Sequence, residues 1–250
     1  MDADATQIMT RTGEFTGMAP EGPPPWEAIA RDRLNGALQR FAKPLAELVA
    51  RDANEGDTRL LVTDFLSDAL NYSKYGELTT EYRTKGESVD YGIVLDDKLF
   101  ALIEVKPCGR DLDVRNLRQV KAQAAELGTP WVILTNGCAW QVHHLPEGDP
   151  AASALIIDVD LRAEDRRAHT VDTLFHLSRE AVRNGRLDDL RAWRAALAPA
   201  RLAEVLGSAS VVAAIRAEMR RATGHAGHLG DSDEILAALR SDVVARGLLG

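Results

Sequence analysis

The sequence predicts an α/β protein: a central mixed β-sheet flanked by helices, followed by a helical C-terminal extension. Three observations carry that expectation. Apolar residues recur at three-to-four spacing from Trp26 to Leu70. The period then falls towards two in short segments rich in β-branched and aliphatic residues, with one helical stretch among them. Beyond about residue 165 only the helical period remains.

Each element follows in turn. Residues 1–25 carry Thr, Gly and acidic residues and end in Pro23-Pro24-Pro25, which reads as a flexible leader with a stiff end. Ile29, Leu34, Leu38, Phe41, Leu45, Leu48 and Val49 mark a first helix that Pro44 should kink or split. Asn54 or Asp57 caps a second, with Leu60, Leu61, Phe65, Leu66 and Leu70 as its apolar face. Strands are expected over Leu78–Arg83, Val89–Leu95 and Leu99–Val105, separated by Gly86 and by Asp96-Asp97 as in a meander. Asp113–Leu127 reads as a helix stopped by Gly128. Trp131–Thr135 and Ala139–His144 read as strands around the Asn136-Gly137 turn, and Ala154–Val159 as one more. In the extension, Leu187, Leu190, Trp193 and Leu197 share a stripe, followed by Leu202, Val205 and Leu206. Val212, Ile215 and Met219 come after Gly207, and a loop with Gly224, Gly227 and Gly230 precedes a last helix with Ile235, Leu239 and Val243. The expected domains are the leader over 1–25, the α/β domain over 26–160 and the helical extension over 161–250, with no internal repeat.

Length and composition narrow the function classes. A chain of 250 residues, 45% hydrophobic and 27% charged, can bury a core and is not wholesale disordered. Its net charge of −8 argues against a protein coated in positive charge but leaves room for a local basic surface. No apolar run approaches the roughly 18 residues of a membrane span, so no membrane partner is expected. Asp2 and Asp4 open the chain with no apolar core behind them, unlike a secretory signal. Cys108 and Cys138 are too few for a disulfide framework. A cytoplasmic protein is the expectation.

The informative stretch is Val89-Asp90-Tyr91-Gly92-Ile93, followed by Leu102-Ile103-Glu104-Val105-Lys106. Paired antiparallel across a tight turn, the two strands can bring Asp90 close to Glu104. Alternation puts Glu104 and Lys106 on one face, with Ile103 and Val105 turned to the core. Two adjacent carboxylates repel unless a cation sits between them. Hard oxygen ligands suit Mg²⁺ or Mn²⁺, and the Val105 carbonyl is a further candidate ligand. A lysine two residues on can orient or help deprotonate the attacking water, which makes a phosphodiester hydrolase of the set. Taken singly, a Glu-x-Lys is a solvated strand face and Asp90 a strand-end aspartate; order and setting give them weight.

From about Asn54 to His144 the chain resembles the PD-(D/E)xK nucleases, in the branch typified by the N-terminal nuclease domain of type I restriction enzyme R subunits. The residues that carry this are Glu55-Gly-Asp-Thr-Arg59, Val89-Asp90-Tyr91, Ile103-Glu104-Val105-Lys106-Pro107, Asn116-Leu-Arg-Gln119, and Ile133-Leu-Thr-Asn-Gly137 with Trp140. The resemblance implies a restriction-endonuclease-like core and a magnesium-dependent endonuclease acting on nucleic acid, DNA above all, in bacterial defence or nucleic-acid processing. It implies metal-binding acids at Asp90 and Glu104, a catalytic lysine at Lys106, a glutamine near the active site at Gln119, and an acid assisting the metal through water at Glu55. Glu55 also reads as an N-terminal acid complementing its helix dipole, and Gln119 as an exposed helix residue. Val89 replaces the motif's proline, and Gln123 stands where relatives often carry an aromatic. The ATP-driven motor of R subunits has no counterpart, since there is no G-x-x-x-x-G-K-[ST] loop.

Other groups point elsewhere. His225 and His228 lack a cysteine near them for a zinc site, His143-His144 reads as a strand end, and Cys108 as an incidental thiol. Lys74, Arg83, Lys85, Arg110, Arg115, Arg118 and Lys121 are available for phosphate contacts or are ordinary surface charges; Arg166-Arg167 and Arg220-Arg221 are weaker candidates. Two further readings stand beside the enzyme: a non-catalytic module of the same fold that binds DNA or a partner protein, and a regulatory or oligomerising protein dominated by its tail. The stripes of the tail need burial, and a homodimer would supply it while pairing two active sites for duplex cleavage.

Overall fold

The computed structural model describes residues 22–83, 88–149, 152–224 and 231–243. Residues 1–21 of the leader, Lys85, Gly86, His225, Gly227, His228 and Gly230 lie outside these. The chain divides after Arg186 into two units. The first is α/β, with a six-stranded mixed sheet flanked by helices.

The first unit opens with α1 (Pro25–Ala50), whose leading proline suits the first helical position. The helix runs unbroken through Pro44, where the sequence predicts a kink or split. Pro44 lies on the exposed face, and so does Arg40, whose carbonyl loses its partner; water can satisfy that carbonyl there. The buried stripe is Ala30, Leu34, Ala37, Leu38, Phe41, Leu45 and Leu48. Ile29 is one position off it and stays exposed. In α2 (Glu55–Asp68) Asn54 is the cap, its side chain accepting the Asp57 N–H at 2.9 Å. Thr58, Leu61, Val62, Phe65 and Leu66 face inward, which turns Leu60 to solvent.

The sheet runs β1 (Leu78–Arg83), β2 (Ser88–Leu95), β3 (Lys98–Val105), β4 (Trp131–Thr135), β5 (Ala139–His144) and β6 (Ala154–Asp160), in that spatial order. All neighbours are antiparallel except β3 and β4, which are parallel. That one parallel pair requires a crossover, supplied by α3 (Val114–Leu127). Asp96 and Asp97, both with positive φ, close the β2–β3 hairpin between Leu95 and Lys98. Gly128, at φ 67°, ends α3 as expected. Gly92 lets Tyr82 of β1 lie flat on the backbone, since a Cβ there would meet the ring at 2.4 Å.

Val120 and Ala124 of α3 pack with Val89, Leu102, Val132 and Leu145 in one cluster. Towards the helices α1 and α2, Phe65 joins Phe41 edge-on at 5.4 Å and Trp140 at 5.1 Å. Beyond β6, a 3₁₀ turn (Glu164–Arg166), α4 (Arg167–Phe175) and α5 (Arg179–Arg183) return to this body. Phe175 stacks on Trp26 at 5.8 Å, and Tyr72 donates to the Leu177 carbonyl at 2.9 Å. Buried Glu77 takes Arg179 through both oxygens at 2.7 and 2.8 Å, while Arg33 and Glu180 pair bidentately at 2.9 Å.

The second unit holds α6 (Arg186–Ala196, whose first residue belongs to the first unit), α7 (Pro199–Leu206), α8 (Ala209–Thr223) and α9 (Ser232–Ala238), which runs into a π turn (Leu239–Val243). Its core is Val212, Ile235 and Leu239, with Ile215 and Leu236 against them. Trp193, Leu197, Leu202, Val205 and Met219 are exposed. Among the described residues, no helix is long and apolar enough to cross a membrane.

His143 gives the first unit a pH dependence. It is buried in β5, and Nε2 has no hydrogen-bond partner among the described residues. Burial, with Lys121 adding and Asp158 opposing, lowers its pKa from 6.5 to about 4. The fold therefore binds fewer protons than the unfolded chain in that interval, and stability is lost as pH falls from 6.5 towards 4. Urea midpoints across this window should fall for the wild type and fall less for His143→Gln. Some slope remains from His176, whose pKa burial also lowers. Equal slopes in the two proteins would contradict the assignment.

Candidate active site

The ends of β2 and β3 meet the first turn of α2, and four of the expected side chains come together there. Glu104 is the last but one residue of β3 and Lys106 follows the strand, so alternation leaves both half-buried while Ile103 and Val105 are fully buried. The Lys106 ammonium donates to Glu104 Oε1 at 2.6 Å and lies 3.7 Å from Glu55 Oε2. Asp90, on the neighbouring strand, accepts the Val105 N–H through Oδ2 at 2.7 Å. Its other oxygen lies 3.3 Å from Arg59 Nε.

Asp90 sits where β2 changes the layer it packs against. Val89 belongs to the α3 cluster, whereas the Tyr91 hydroxyl donates to the Arg59 carbonyl of α2 at 2.8 Å. Strict alternation would put both on one side. Across β1 the residue between their partners is Glu81, with φ 50°, so the ladder is locally interrupted beside Asp90. On its other side the Asp90 carboxylate takes the Val105 N–H of β3.

The first turn of α2 is fastened to the segment after β3. Thr58, fully buried, donates to the Asn54 carbonyl at 2.9 Å and accepts the Cys108 N–H at 3.1 Å. The Lys106 N–H donates to the Thr135 carbonyl at 2.8 Å, which ties the lysine to β4. Beyond it, Asn136 forms an Asx turn, accepting the Cys138 and Ala139 N–H groups at 3.0 and 2.7 Å and donating to the Arg110 carbonyl at 2.8 Å. Gly137, at φ 82°, completes the bend. The Thr-Asn-Gly run thus braces the lysine's loop from beneath.

Charge and burial set the protonation of the cluster. Burial raises the Glu104 pKa; Lys106 opposes this, and the charges of Asp90 and Glu55 add to it. Burial works against the Lys106 ammonium, yet Glu104 first, then Glu55 and Asp90, raise its pKa on balance. Lys106 is therefore a charged donor here, suited to orienting a water or a phosphoryl oxygen rather than to taking a proton.

Gln119 lies on the exposed face of α3, one residue from buried Val120. Val105, the expected carbonyl ligand, sits at the end of β3 between Asp90's strand and β4. Arg83, Arg110, Arg115 and Arg118 are exposed; Lys74 is engaged by Asp64 at 2.6 Å. Sequence reasoning missed Arg59 and Thr58 as parts of the site. Their spacing from Glu55, four and three residues along one helix, marks a shared face but not their partners.

Among the described residues no group of three or more His, Cys, Asp and Glu side chains is arranged to hold a metal ion. A Mg²⁺ ion asks for less: one or two carboxylates, with water and substrate oxygens completing its shell. Asp90, Glu104 and the Val105 carbonyl are such a donor set. Burial is the main cause of the raised Glu104 pKa, and Asp90 and Glu55 add to it; a cation would offset the part that comes from those two acids. The residues present fit a hard divalent cation. Comparison of the chain with protein-family models, curated proteins and solved structures yields no match, so the reading of the site rests on its own residues.

Proposed function

We propose that this chain is a metal-dependent endonuclease with a restriction-endonuclease-like core, hydrolysing phosphodiester bonds of DNA. One observation carries the reading: the acids of two paired strands and the lysine two residues past the second acid meet in one half-buried cluster beside a third acid. Asp90, Glu104 and the Val105 carbonyl would hold Mg²⁺ or Mn²⁺, which when bound supplies positive charge to the phosphoryl group. Lys106 donates from its ammonium to the attacking water or to a non-bridging oxygen. Glu55, the most exposed of the acids and 3.7 Å from Lys106, would assist the metal through water. Arg59 holds the orientation of Asp90. Arg110 ahead of α3, and Arg115 and Arg118 on it with Gln119 beside them, offer contacts to the phosphate backbone. Bacterial defence or nucleic-acid processing is the setting the resemblance supports.

The test is incubation with plasmid, linear and single-stranded DNA and with RNA, in Mg²⁺ or Mn²⁺ and in EDTA. Cleavage that EDTA stops, without any need for ATP, is expected. Glu104→Ala should lose metal binding, read by calorimetry, and cleavage together. A wild type that binds no divalent ion and cuts none of these substrates would overturn the reading.

A second reading has its own observation. Asp90 and Glu104 each already have a protein cation beside them, Arg59 and Lys106. A module that binds DNA or a partner protein without cutting would need nothing more. The exposed Trp193, Leu197, Leu202 and Val205 support a further proposal, self-association of the second unit as a homodimer. Light scattering should give twice the chain mass at micromolar concentration; a monomer mass throughout would remove it.

A further inference from the structure

The first unit holds a cavity that the nuclease reading does not use. About 340 Å³ in volume, it lies between α1 and the segment that leads from β6 into α4. Small-molecule sites span about 300–1,000 Å³, so it is large enough to be one. One wall is α1, where Ala42, Ala46 and Ala50 fall at four-residue spacing beside Leu38, Leu45 and Val49. The alanines are exposed, and their short side chains leave room along the helix. From Leu38 to Ala50 this wall extends about 18 Å, at 1.5 Å per residue. Leu161 continues the apolar surface on the β6 side. The polar members are Arg162, Arg167 and Thr170, and among the described residues no acid lines the cavity.

Those three polar residues differ in what they already bind. Arg162 is held by Asp160 through both carboxylate oxygens, at 2.6 and 3.0 Å. Arg167 is half-buried, and no described side chain forms an ion pair or hydrogen bond with its guanidinium. It is also the first residue of α4, whose N-terminus has no side-chain cap and no acid in its first turn. Thr170, one turn on and only 4% exposed, has no hydrogen-bond partner for its hydroxyl among the described residues. An unmatched guanidinium, an unmatched buried hydroxyl and a helix N-terminus thus share one wall of an apolar groove, and each favours an anion. We propose that the cavity binds an aliphatic monocarboxylate, its chain laid along α1 and its carboxylate held by Arg167, the Thr170 hydroxyl and the first turn of α4. The charge count selects a monoanion: with Arg162 matched by Asp160, Arg167 is the one unmatched cation among the described residues of the wall. The long apolar face of α1 selects an extended chain over a compact polar anion such as phosphate.

None of Glu55, Asp90, Glu104 and Lys106 lines the cavity, so binding is read without any cleavage assay. The probe is sodium octanoate, titrated by calorimetry into the full chain below the concentration at which it forms micelles. The expected result is saturable binding of one octanoate per chain. Across butanoate, hexanoate and octanoate each added methylene should tighten binding by up to about 4-fold. 1-Octanol keeps the chain and lacks the charge, and should bind about 10- to 100-fold more weakly; octanoate should lose as much on Arg167→Gln. That variant breaks no ion pair and should keep the wild-type urea midpoint. Ala46→Leu, a change at an exposed position that fills the groove, should abolish binding with the arginine intact. No saturation at millimolar octanoate, octanol binding as tightly as octanoate, or inorganic phosphate displacing octanoate at equal concentration would each overturn the proposal. Wild-type affinity in Arg167→Gln or in Ala46→Leu would do the same.

Discussion

Lys106→Ala is expected to lower DNA cleavage by about 10²–10⁴-fold, the usual span for removing a positioned proton-handling or orienting group. The side chain reaches Glu104 at 2.6 Å and Glu55 at 3.7 Å, so it is the positive centre of the acid cluster. Truncation leaves Asp90 and Glu104 in place, and binding of Mn²⁺ measured by calorimetry should persist. Affinity for DNA should change far less than the rate, because one ammonium is a small part of a surface making many phosphate contacts. Glu104→Ala removes a ligand and should lose both metal and cleavage, so the two variants separate orientation from metal binding. Cleavage by Lys106→Ala at the wild-type rate would end the mechanism proposed here. Wild-type affinity for DNA with no cleavage under any ion would leave the binding module in its place.

The second large effect is on stability. Trp140→Ala should cost about 3–5 kcal/mol of unfolding free energy, the range for emptying a buried aromatic site. Trp140 is fully buried in β5, where it packs on Phe65 at 5.1 Å and sits opposite Thr135 of β4. Its indole N–H donates to the Gly137 carbonyl at 3.2 Å, so the change also leaves that buried bend without a partner. Trp140→Phe keeps most of the apolar volume and loses only the donor, and should cost markedly less. Urea midpoints of the three proteins decide it; an alanine variant as stable as wild type would mean that the bend and the helical layer are not held through this ring.

Much of the sheet could be read from residues alone. Leu78–Arg83, Trp131–Thr135 and Ala139–His144 end where expected because turn-forming residues or a change of period bound each apolar run. Asp90, Glu104 and Lys106 were legible for the same reason: charges at fixed offsets within otherwise apolar strands are conspicuous. Helix faces were harder. Ile29 and Leu60 are apolar and near the right spacing, yet one position around the helix places each in solvent. The bracing of the site was not legible, since Thr58 and Cys108 stand fifty residues apart and are brought together by the fold, the Cys108 N–H donating to the Thr58 hydroxyl at 3.1 Å and the Cys108 sulfur lying 3.5 Å from it. Arg59 belongs to the Glu55–Arg59 run that carries the resemblance, but nothing local says that its counter-ion is Asp90. The first unit likewise extends to Arg186, past the point where the chain turns helical, because ion pairs and aromatic contacts distant in sequence hold α4 and α5 to it.

Those ion pairs decide how short a self-sufficient folding piece can be. Glu77 is buried just ahead of β1, and the cation that compensates it arrives from Arg179, about a hundred residues later. A polypeptide ending at residue 160 contains every strand and every acid of the site, yet it strands Glu77 and Arg33 without counter-ions. Removing one partner of a fully buried pair costs about 3–5 kcal/mol; here Glu77 is buried while Arg33, Glu180 and Arg179 are half-buried, so each pair carries a part of that. The strands that carry Asp90 and Glu104 therefore depend on two short helices that add no residue to that cluster. During synthesis the sheet has its complete charge balance only after α5 has emerged.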